Sequence, residues 1–375
     1  MKVALLAPVW GIAGGWSRVV EKMTPLIAEK VIVDLYLPVD SPRLNKPYNF
    51  NVKHTLPPIS YHPFHPRVIK HLMKTVKDLM KGGYDLIQTY DAWPLSFVGA
   101  LASQIHKDSL FIGAHGTAAL APLFNWKTRE SLLWSYRICV EVFCISSFTK
   151  KFLEKLTGLS KFRVLPLDGV DYEFFSSYKK VVEKLRGRWK GRIVLTVGKL
   201  KERKGIDVSL KAFKIVKEKV RDAKYIIIGG GNIEKYRRFA EELGLEDVYF
   251  LGNVSDEELA GYYQLCDVFV LTPKRFGTDV EGFGLVYLEA GAAGKPVVAS
   301  MHGGVTDVVK HMKNGLLVPE NDPDSTAEAI LTLLMDKELS EKLGNEGRET
   351  AMRFRWENTV DNLVKTWKEK LKKDD

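Results

Sequence analysis

Several kinds of chemistry are missing from this sequence. It holds only three cysteines, Cys139, Cys144 and Cys266, in 375 residues. None pairs at zinc-site spacing, and Cys139 stands too far from Cys144 for a redox Cys-x-x-Cys. A disulfide framework is therefore excluded, and buried free thiols in a reducing cytosol are expected. No run of about 18 apolar residues occurs, so no spanning helix is expected. There is no Gly-x-Ser-x-Gly elbow and no Gly-x(4)-Gly-Lys-Ser/Thr loop, which removes the usual support for a hydrolase or a P-loop kinase. His62, His65, His71 and His115 show no His-Glu-x-x-His spacing, so no metal site is read from them. Repeats and low-complexity tracts are absent as well. Apolar residues make up 45% and charged residues 27%, which are ordinary globular values. What is in surplus is positive charge, +10. Such a surplus suits phosphates, nucleic acid or an acidic membrane face.

Short apolar runs alternate with helical patterns along most of the chain. Met1–Pro8 has the charged start of a leader but lacks a long apolar core and a cleavage site, and reads better as a first strand. Strands are expected at Val3–Ala7, Val31–Leu37, Asp85–Thr89, Leu110–Ala114, Val140–Ile145 and Arg163–Leu165. A second series runs Ile193–Val197, Tyr225–Ile228, Val248–Leu251, Val268–Leu271 and Pro296–Ala299. Helices are expected at Ser17–Glu29, Gly205–Val220, Ile233–Leu243 and Asp256–Leu265. The strands are rich in Val, Ile and Leu, as in parallel sheets covered on both faces. Length favours two domains. The series restarts near residue 192, after the polar, basic segment Ser176–Gly191, so two doubly wound Rossmann-like domains are expected, 1–167 and 168–356. The last helix, 357–375, carries an apolar stripe and is expected to pack back on the first domain. Ligands in such folds bind beyond the carboxyl ends of strands, which places the expected site in a cleft between the two sheets.

The densest signal is Glu281-Gly-Phe-Gly-Leu-Val-Tyr-Leu-Glu289. Glu281 should sit in a loop and Glu289 inside the following apolar helix. A carboxylate there is costly unless partnered, and sugar or ribose hydroxyls are natural partners. Helix N-terminal amides beside Gly282 and Gly284 favour a phosphate. Lys199-Leu-Lys-Glu-Arg203-Lys204-Gly205 follows a strand and Gly198, where cations could neutralise a diphosphate or simply be solvated. Gly11-Ile-Ala-Gly14-Gly15 lies where a backbone can approach a phosphate, or where a chain merely turns. Its spacing is not Gly-x-Gly-x-x-Gly. Weaker signals are Gly229-Gly230-Gly231 and Leu251-Gly-Asn253-Val254, which could admit a ribose or read a base edge. His115-Gly116-Thr117 ends a strand, and such a histidine can be structural or reach a ligand. Arg67–Lys81 places Val68, Ile69, Leu72, Met73, Val76, Leu79 and Met80 on one side and lysines elsewhere. It could lie on an acidic membrane or pack on the sheet.

Together these features resemble the GT-B glycosyltransferases of family 4, the large retaining group. The resemblance is sharpest in Val197-Gly198-Lys199-Leu200…Lys204-Gly205, Glu281–Gly284, Glu289-Ala290, Gly294–Ala299, Gly303-Gly304 and Asn314–Pro319. Pro166-Leu-Asp-Gly-Val-Asp171 is similar to the family's interdomain Pro-Asn-Gly-Val-Asp, with Asp168 in place of asparagine. Lys199 stands where arginine is common, and Lys274–Val280 lengthens the loop before Glu281, as in phosphatidylinositol mannosyltransferases. The resemblance implies catalytic roles for Glu281, His115, Lys199 and Lys204. It implies donor contacts from Gly14, Gly15, Gly198, Gly230, Asn253, Val254, Phe283, Gly284, Leu285 and Glu289. Transfer of a hexose from a UDP- or GDP-sugar to a glycan or lipid-linked hydroxyl, with retention and without a metal or other cofactor, is the expectation. Nucleic acid is not an expected partner, and the implied location is cytoplasmic or peripheral on the inner membrane face. A two-domain dehydrogenase and a non-catalytic nucleotide- or carbohydrate-binding protein are the competing readings. Acceptor recognition falls to the N-terminal domain, whose segments Ser41–Pro66 and Ala118–Arg129 match nothing specific.

Overall fold

The computed structural model describes residues 1–11, 15–44, 47–58, 66–106, 109–177 and 179–372. The chain divides into two compact units, Met1–Gly169 together with the chain from Trp356 onward, and Val170–Arg355. Asp168 thus belongs to the first unit.

The first unit is built on strands β1 (Lys2–Leu6), β2 (Ile32–Pro38), β3 (Asn51–Leu56), β4 (Leu86–Thr89), β5 (Ser109–Ala114), β6 (Glu141–Cys144) and β7 (Phe162–Val164). Their order is β3-β2-β1-β4-β5-β6-β7, with every pairing parallel. Its helices are α1 (Gly15–Ala28), α2 (Pro66–Met80), α3 (Leu95–His106), α4 (Gly116–Leu120), α5 (Trp126–Ile138) and α6 (Ser147–Thr157). In the second unit β8 (Ile193–Val197), β9 (Lys224–Ile228), β10 (Val248–Gly252), β11 (Val268–Leu271), β12 (Val297–Ser300) and β13 (Leu316–Val318) pair in parallel in the order β10-β9-β8-β11-β12-β13. Its helices are α7 (Tyr172–Ser176), α8 (Lys179–Arg188), α9 (Ile206–Lys219), α10 (Ile233–Glu242), α11 (Asp256–Leu265), α12 (Leu285–Ala292), α13 (Val305–Val308), α14 (Pro323–Met335) and α15 (Lys337–Arg353). The last helix, α16 (Trp356–Leu371), returns to the first unit.

Both sheets are the doubly wound, Rossmann-like type expected from the sequence. The central strands β4, β8, β11 and β12 are buried along their whole length because helices cover both faces, whereas the edge strands β3, β7 and β10 are only partly buried. In the first unit α1 packs on α16, whereas α2 packs on α3 and α3 on α5. Trp356, Val360, Leu363, Val364 and Trp367 of α16 join the core formed with Val3, Leu5, Val20 and Met23. Each such burial contributes about 1.5–3 kcal/mol. The Trp367 indole N–H donates to the buried Gln88 side chain at 3.0 Å, which satisfies two polar groups inside that core. Helix starts follow local chemistry: Ser255 and Glu258 form a reciprocal capping box on α11, and Asp322 caps α14 ahead of Pro323.

Three elements depart from the sequence reading. β3 lies inside the segment read as the loop Ser41–Pro66, because an edge strand pairs on one side only and need not be apolar. β13 is only three residues long and carries little pattern. The segment Ser176–Gly191, read only as polar and basic, holds α8, whose Val182 and Leu185 are buried as α8 packs on α11. His62 and His65 lie outside the described residues.

Candidate active site

In the second unit the loops after β8, β9 and β10 are laced together at their carboxyl ends. Gly198 donates to Ile228 O at 2.9 Å, Leu200 to Gly230 O at 2.8 Å and Gly229 to Gly252 O at 2.8 Å. At Gly229, φ is +132° and a Cβ would lie 2.1 Å from Gly198 O, so only glycine fits. The same holds at Gly205, where φ is +65° and a Cβ would stand 1.8 Å from Thr272 O. Lys274 N donates to Arg203 O at 2.8 Å, which fixes the Arg203–Lys204 turn to the end of β11.

That turn delivers two cations to one carboxylate oxygen. Glu281 Oε2 accepts from Lys204 Nζ at 2.6 Å and from Arg203 Nη1 at 2.6 Å. Arg203 Nε also lies 3.1 Å from Asp279 Oδ1 in the lengthened loop. Glu281 is buried, and burial alone would raise its pKa. The charges of Lys204 and Arg203, and their hydrogen bonds, outweigh that effect and hold it below the usual range. The carboxylate is therefore ionised, with both donors on one oxygen. Its backbone is fixed too, because Gly304 N donates to Glu281 O at 2.9 Å.

Directly after Glu281 the chain turns through Gly284 (φ +98°) into α12. Among the described residues, the backbone N–H groups of Phe283, Gly284 and Leu285 donate to no other group of the chain. They form the amide-rich helix start that favours an anion. Phe283 anchors the turn by packing edge-on against Phe354, centroids 5.4 Å apart. Glu289 is buried on the second turn of α12 and accepts from Tyr263 Oη at 2.6 Å. Gly230 lies beside Asn253, whose Oδ1 would be 3.4 Å from a Cβ there. Gly198 faces Lys204, whose Nζ would be 3.8 Å from a Cβ. Val254 is half-buried and follows Asn253.

Lys199 differs from Lys204. It is exposed in the loop after Gly198, whereas Lys204 is buried against Glu281. The two lysines read as a pair from the sequence occupy unlike environments. Arg203 is the second partner of Glu281, a role the sequence reading gave to neither Arg203 nor Asp279. The run of alternating charges around Arg203 was visible, but its partners lie about 80 residues away in sequence.

In the first unit, His115 ends β5 and is the N-cap residue of α4. Its Nε2 stands 3.7 Å from Asp168 Oδ1, both side chains buried. Asp91, just past β4, is buried in the same region and accepts from Ala92 N at 2.7 Å. Burial pushes its carboxyl up to about 7, with the charge of His115 and the Ala92 N–H opposing only part of the rise. Asp91 was missed in the sequence, although it follows a strand as His115 does. Gly15 begins α1, and Gly14 lies outside the described residues.

Two doubly wound parallel-sheet units, with an acid, a cation pair and bare amides at the strand ends of the second, define a two-domain Rossmann-like architecture. The solved structures agree on that fold. HepE of Anabaena in complex with UDP and glucose superposes with a TM-score of 0.80 over 98% of this chain and 99% of that chain, at 22% identity. Sucrose-phosphate synthase of Thermosynechococcus elongatus gives a TM-score of 0.78 over 98% of each chain, at 24% identity. At these identities the likeness concerns architecture alone.

The chain belongs to the family-4 glycosyltransferases: residues 13–174 match Glycosyltransferase Family 4, and residues 179–350 match Glycosyl transferases group 1. A GDP-mannose-dependent alpha-(1-6)-phosphatidylinositol monomannoside mannosyltransferase of Mycobacterium tuberculosis is 34% identical over 229 residues, a match spanning 59% of this chain and 59% of that protein. The Mycolicibacterium smegmatis protein of the same description is 30% identical over 304 residues, 77% of this chain and 78% of that protein. An uncharacterized glycosyltransferase of Methanocaldococcus jannaschii is 30% identical over 288 residues, 76% of each chain.

Proposed function

We propose that this protein is a retaining, metal-independent glycosyltransferase that moves a hexose from a UDP- or GDP-sugar to a glycan or lipid-linked hydroxyl acceptor. The observation that carries the reading is Glu281, an ionised buried carboxylate held by two cations on one oxygen, next to the bare amides of Phe283, Gly284 and Leu285. Two relatives described as GDP-mannose-dependent favour a guanosine diphosphate donor.

Breaking the anomeric C–O bond places positive charge on the sugar and negative charge on the departing diphosphate. Glu281 accepts hydrogen bonds from sugar hydroxyls near the developing cation. Lys204, with Lys199 nearby in sequence, compensates the phosphate charge, and the α12 amides add donors that need no reorganisation. Glu289 holds ribose hydroxyls, and the loops at Gly198, Gly230, Asn253 and Val254 enclose the nucleoside. In the first unit, Asp91, His115 and Asp168 form a separate polar group suited to hydroxyls. Same-face attack, with the leaving phosphate taking the acceptor proton, gives retention.

The test pairs a thermal-shift panel of UDP-, GDP- and ADP-sugars with donor turnover. A GDP- or UDP-sugar should raise the melting temperature and be consumed. Glu281→Ala should lower turnover by about 10²–10³-fold or more, the cost of losing one preorganised charge-stabilising group. Full activity in that variant discards the assignment. Donor binding without transfer to any acceptor in a broad panel establishes instead a non-catalytic binding protein.

A further inference from the structure

A second cavity of the second unit lies between α9 and α10, and none of its lining residues belongs to the site around Glu281. Its volume is about 370 Å³, within the about 300–1,000 Å³ usual for small-molecule sites. Helical spacing explains the lining. Asp207 in the first turn of α9 and Lys211 one turn on share a face, as do Lys235, Phe239 and Glu242 on α10. Glu202 joins them from the turn after β8. Two polar atoms there have nothing to bond. Tyr236 lines the cavity and is 1% exposed, and its hydroxyl has no hydrogen-bond partner among the described residues. Asp207 Oδ1 is buried and equally unpartnered, although Asp207 Oδ2 receives Lys274 Nζ at 2.6 Å. Such buried orphans are costly until a partner arrives. Burial first, and then the charges of Glu202 and Asp207, keep the Tyr236 phenol protonated, so it has a proton to donate on the side of those acids.

The charge pattern selects the ligand. Glu202 pairs with Lys235, and Asp207 with Lys274. Exposed Glu242 and exposed Lys211 complete a balance of three carboxylates and three ammonium groups. A phosphate would meet the acids, and a polyamine would meet the lysines. Among the described residues no three His, Cys, Asp or Glu side chains stand where they could hold a metal ion. Three features are left over. Asp207 Oδ1 only accepts, whereas the Tyr236 hydroxyl both donates and accepts. Phe239, with the Lys211 ammonium 5.8 Å from its ring centroid, supplies an apolar face flanked by a lysine stem. Neighbouring hydroxyls of a pyranose match the first two, and its C–H face matches the third.

We propose that the α9–α10 cavity is a binding site for a neutral saccharide, with Asp207 and Tyr236 holding its hydroxyls and Phe239 meeting its apolar face. The site stands independently of the proposed transfer reaction, because it uses none of the residues assigned to that reaction.

The test is a saturation-transfer NMR titration of the full chain with methyl α-D-mannopyranoside and methyl α-D-glucopyranoside, with glucose 1-phosphate and spermidine as charged comparisons. At least one glycoside should bind, and more tightly than either charged compound. Tyr236→Phe should weaken that binding by about fivefold or more, the loss of one hydrogen bond. Phe239→Ala should weaken it similarly, and Glu281→Ala should leave it unchanged. Tyr236→Phe removes a hydroxyl without a partner, so its melting temperature should equal or exceed that of the wild type. The proposal is overturned by absent glycoside binding, by tighter binding of a charged compound, or by binding indifferent to Tyr236→Phe. A lower melting temperature for Tyr236→Phe overturns it as well, since the hydroxyl then has a structural partner. Glycoside binding lost in Glu281→Ala but kept in Tyr236→Phe assigns the sugar to the transfer site, against this inference and in favour of that reading. Glycoside binding that depends on Tyr236, in a chain that turns over no donor, supports this inference and counts against the other.

Discussion

Two buried carboxylates at strand ends, Glu281 in the second unit and Asp91 in the first, are driven in opposite directions by their surroundings. Burial acts on both to favour the protonated form. Glu281 has Lys204 and Arg203 within 2.6 Å of one oxygen and stays ionised. Asp91 has one backbone N–H at 2.7 Å and only the more distant His115 for charge, and its carboxyl sits near 7. Residue type and burial thus do not fix charge. The count of cations within contact does. Glu281 is an anion at neutral pH, whereas Asp91 can gain or lose a proton there.

The comparison breaks most visibly at Lys204. Lys204→Met should destabilise the chain by about 3 kcal/mol, the low end for breaking a buried ion pair because Arg203 remains. In the wild type Glu281's depressed pKa contributes stability above the usual carboxylate range that is lost as pH falls through the folded value. Removing the lysine shifts the balance toward burial, so the acid limb of the stability profile should move to higher pH. Denaturant melts across the acid range would show it, and an unmoved limb would mean that Arg203 alone sets the charge.

Gly205→Ala tests how Lys204 is delivered. A left-handed φ of +65° and a Cβ 1.8 Å from Thr272 O should cost at least about 2 kcal/mol. A melting midpoint equal to that of the wild type would show that the turn can relax.

Asp91→Asn sharpens the other side. A folded pKa raised above 3.8 means that stability declines as pH rises toward about 7 and is level beyond it. Removing the charge should therefore stabilise the chain by about 4 kcal/mol near pH 8. The gain should fade toward pH 4, where wild-type Asp91 is protonated. Stabilisation that is equal at both pH values would refute the assigned titration.

The smallest effect belongs to Lys199→Ala. An exposed lysine should change stability by no more than about 0.5 kcal/mol. A larger loss in thermal melts of the unliganded chain would reveal a structural partner for it.

Much of this was legible along the chain. Apolar runs of four to six residues separated by helical patterns located the two parallel sheets, with ends off by a residue or two. α8 was not read, because the surrounding charge obscured the helical spacing of Val182 and Leu185. Nor was β3, because Asn51-Val-Lys-His-Thr-Leu alternates weakly and its pairing with β2 is a tertiary event. Within the site, Glu281, Lys204 and the glycine turns were readable from residue type and position. Arg203 looked like one more solvated charge, and Asp91 followed a strand without any glycine or second acid to mark it.

The sequence by itself determined where most strands and helices form, which turns require glycine, and that an acid precedes an apolar helix, because periodicity and backbone sterics act over a few residues. Only the tertiary structure decided which charges meet. Lys204 and Glu281 are 77 residues apart in the chain and 2.6 Å apart in space. Their protonation depends on that distance and on exclusion of water, which no local pattern encodes.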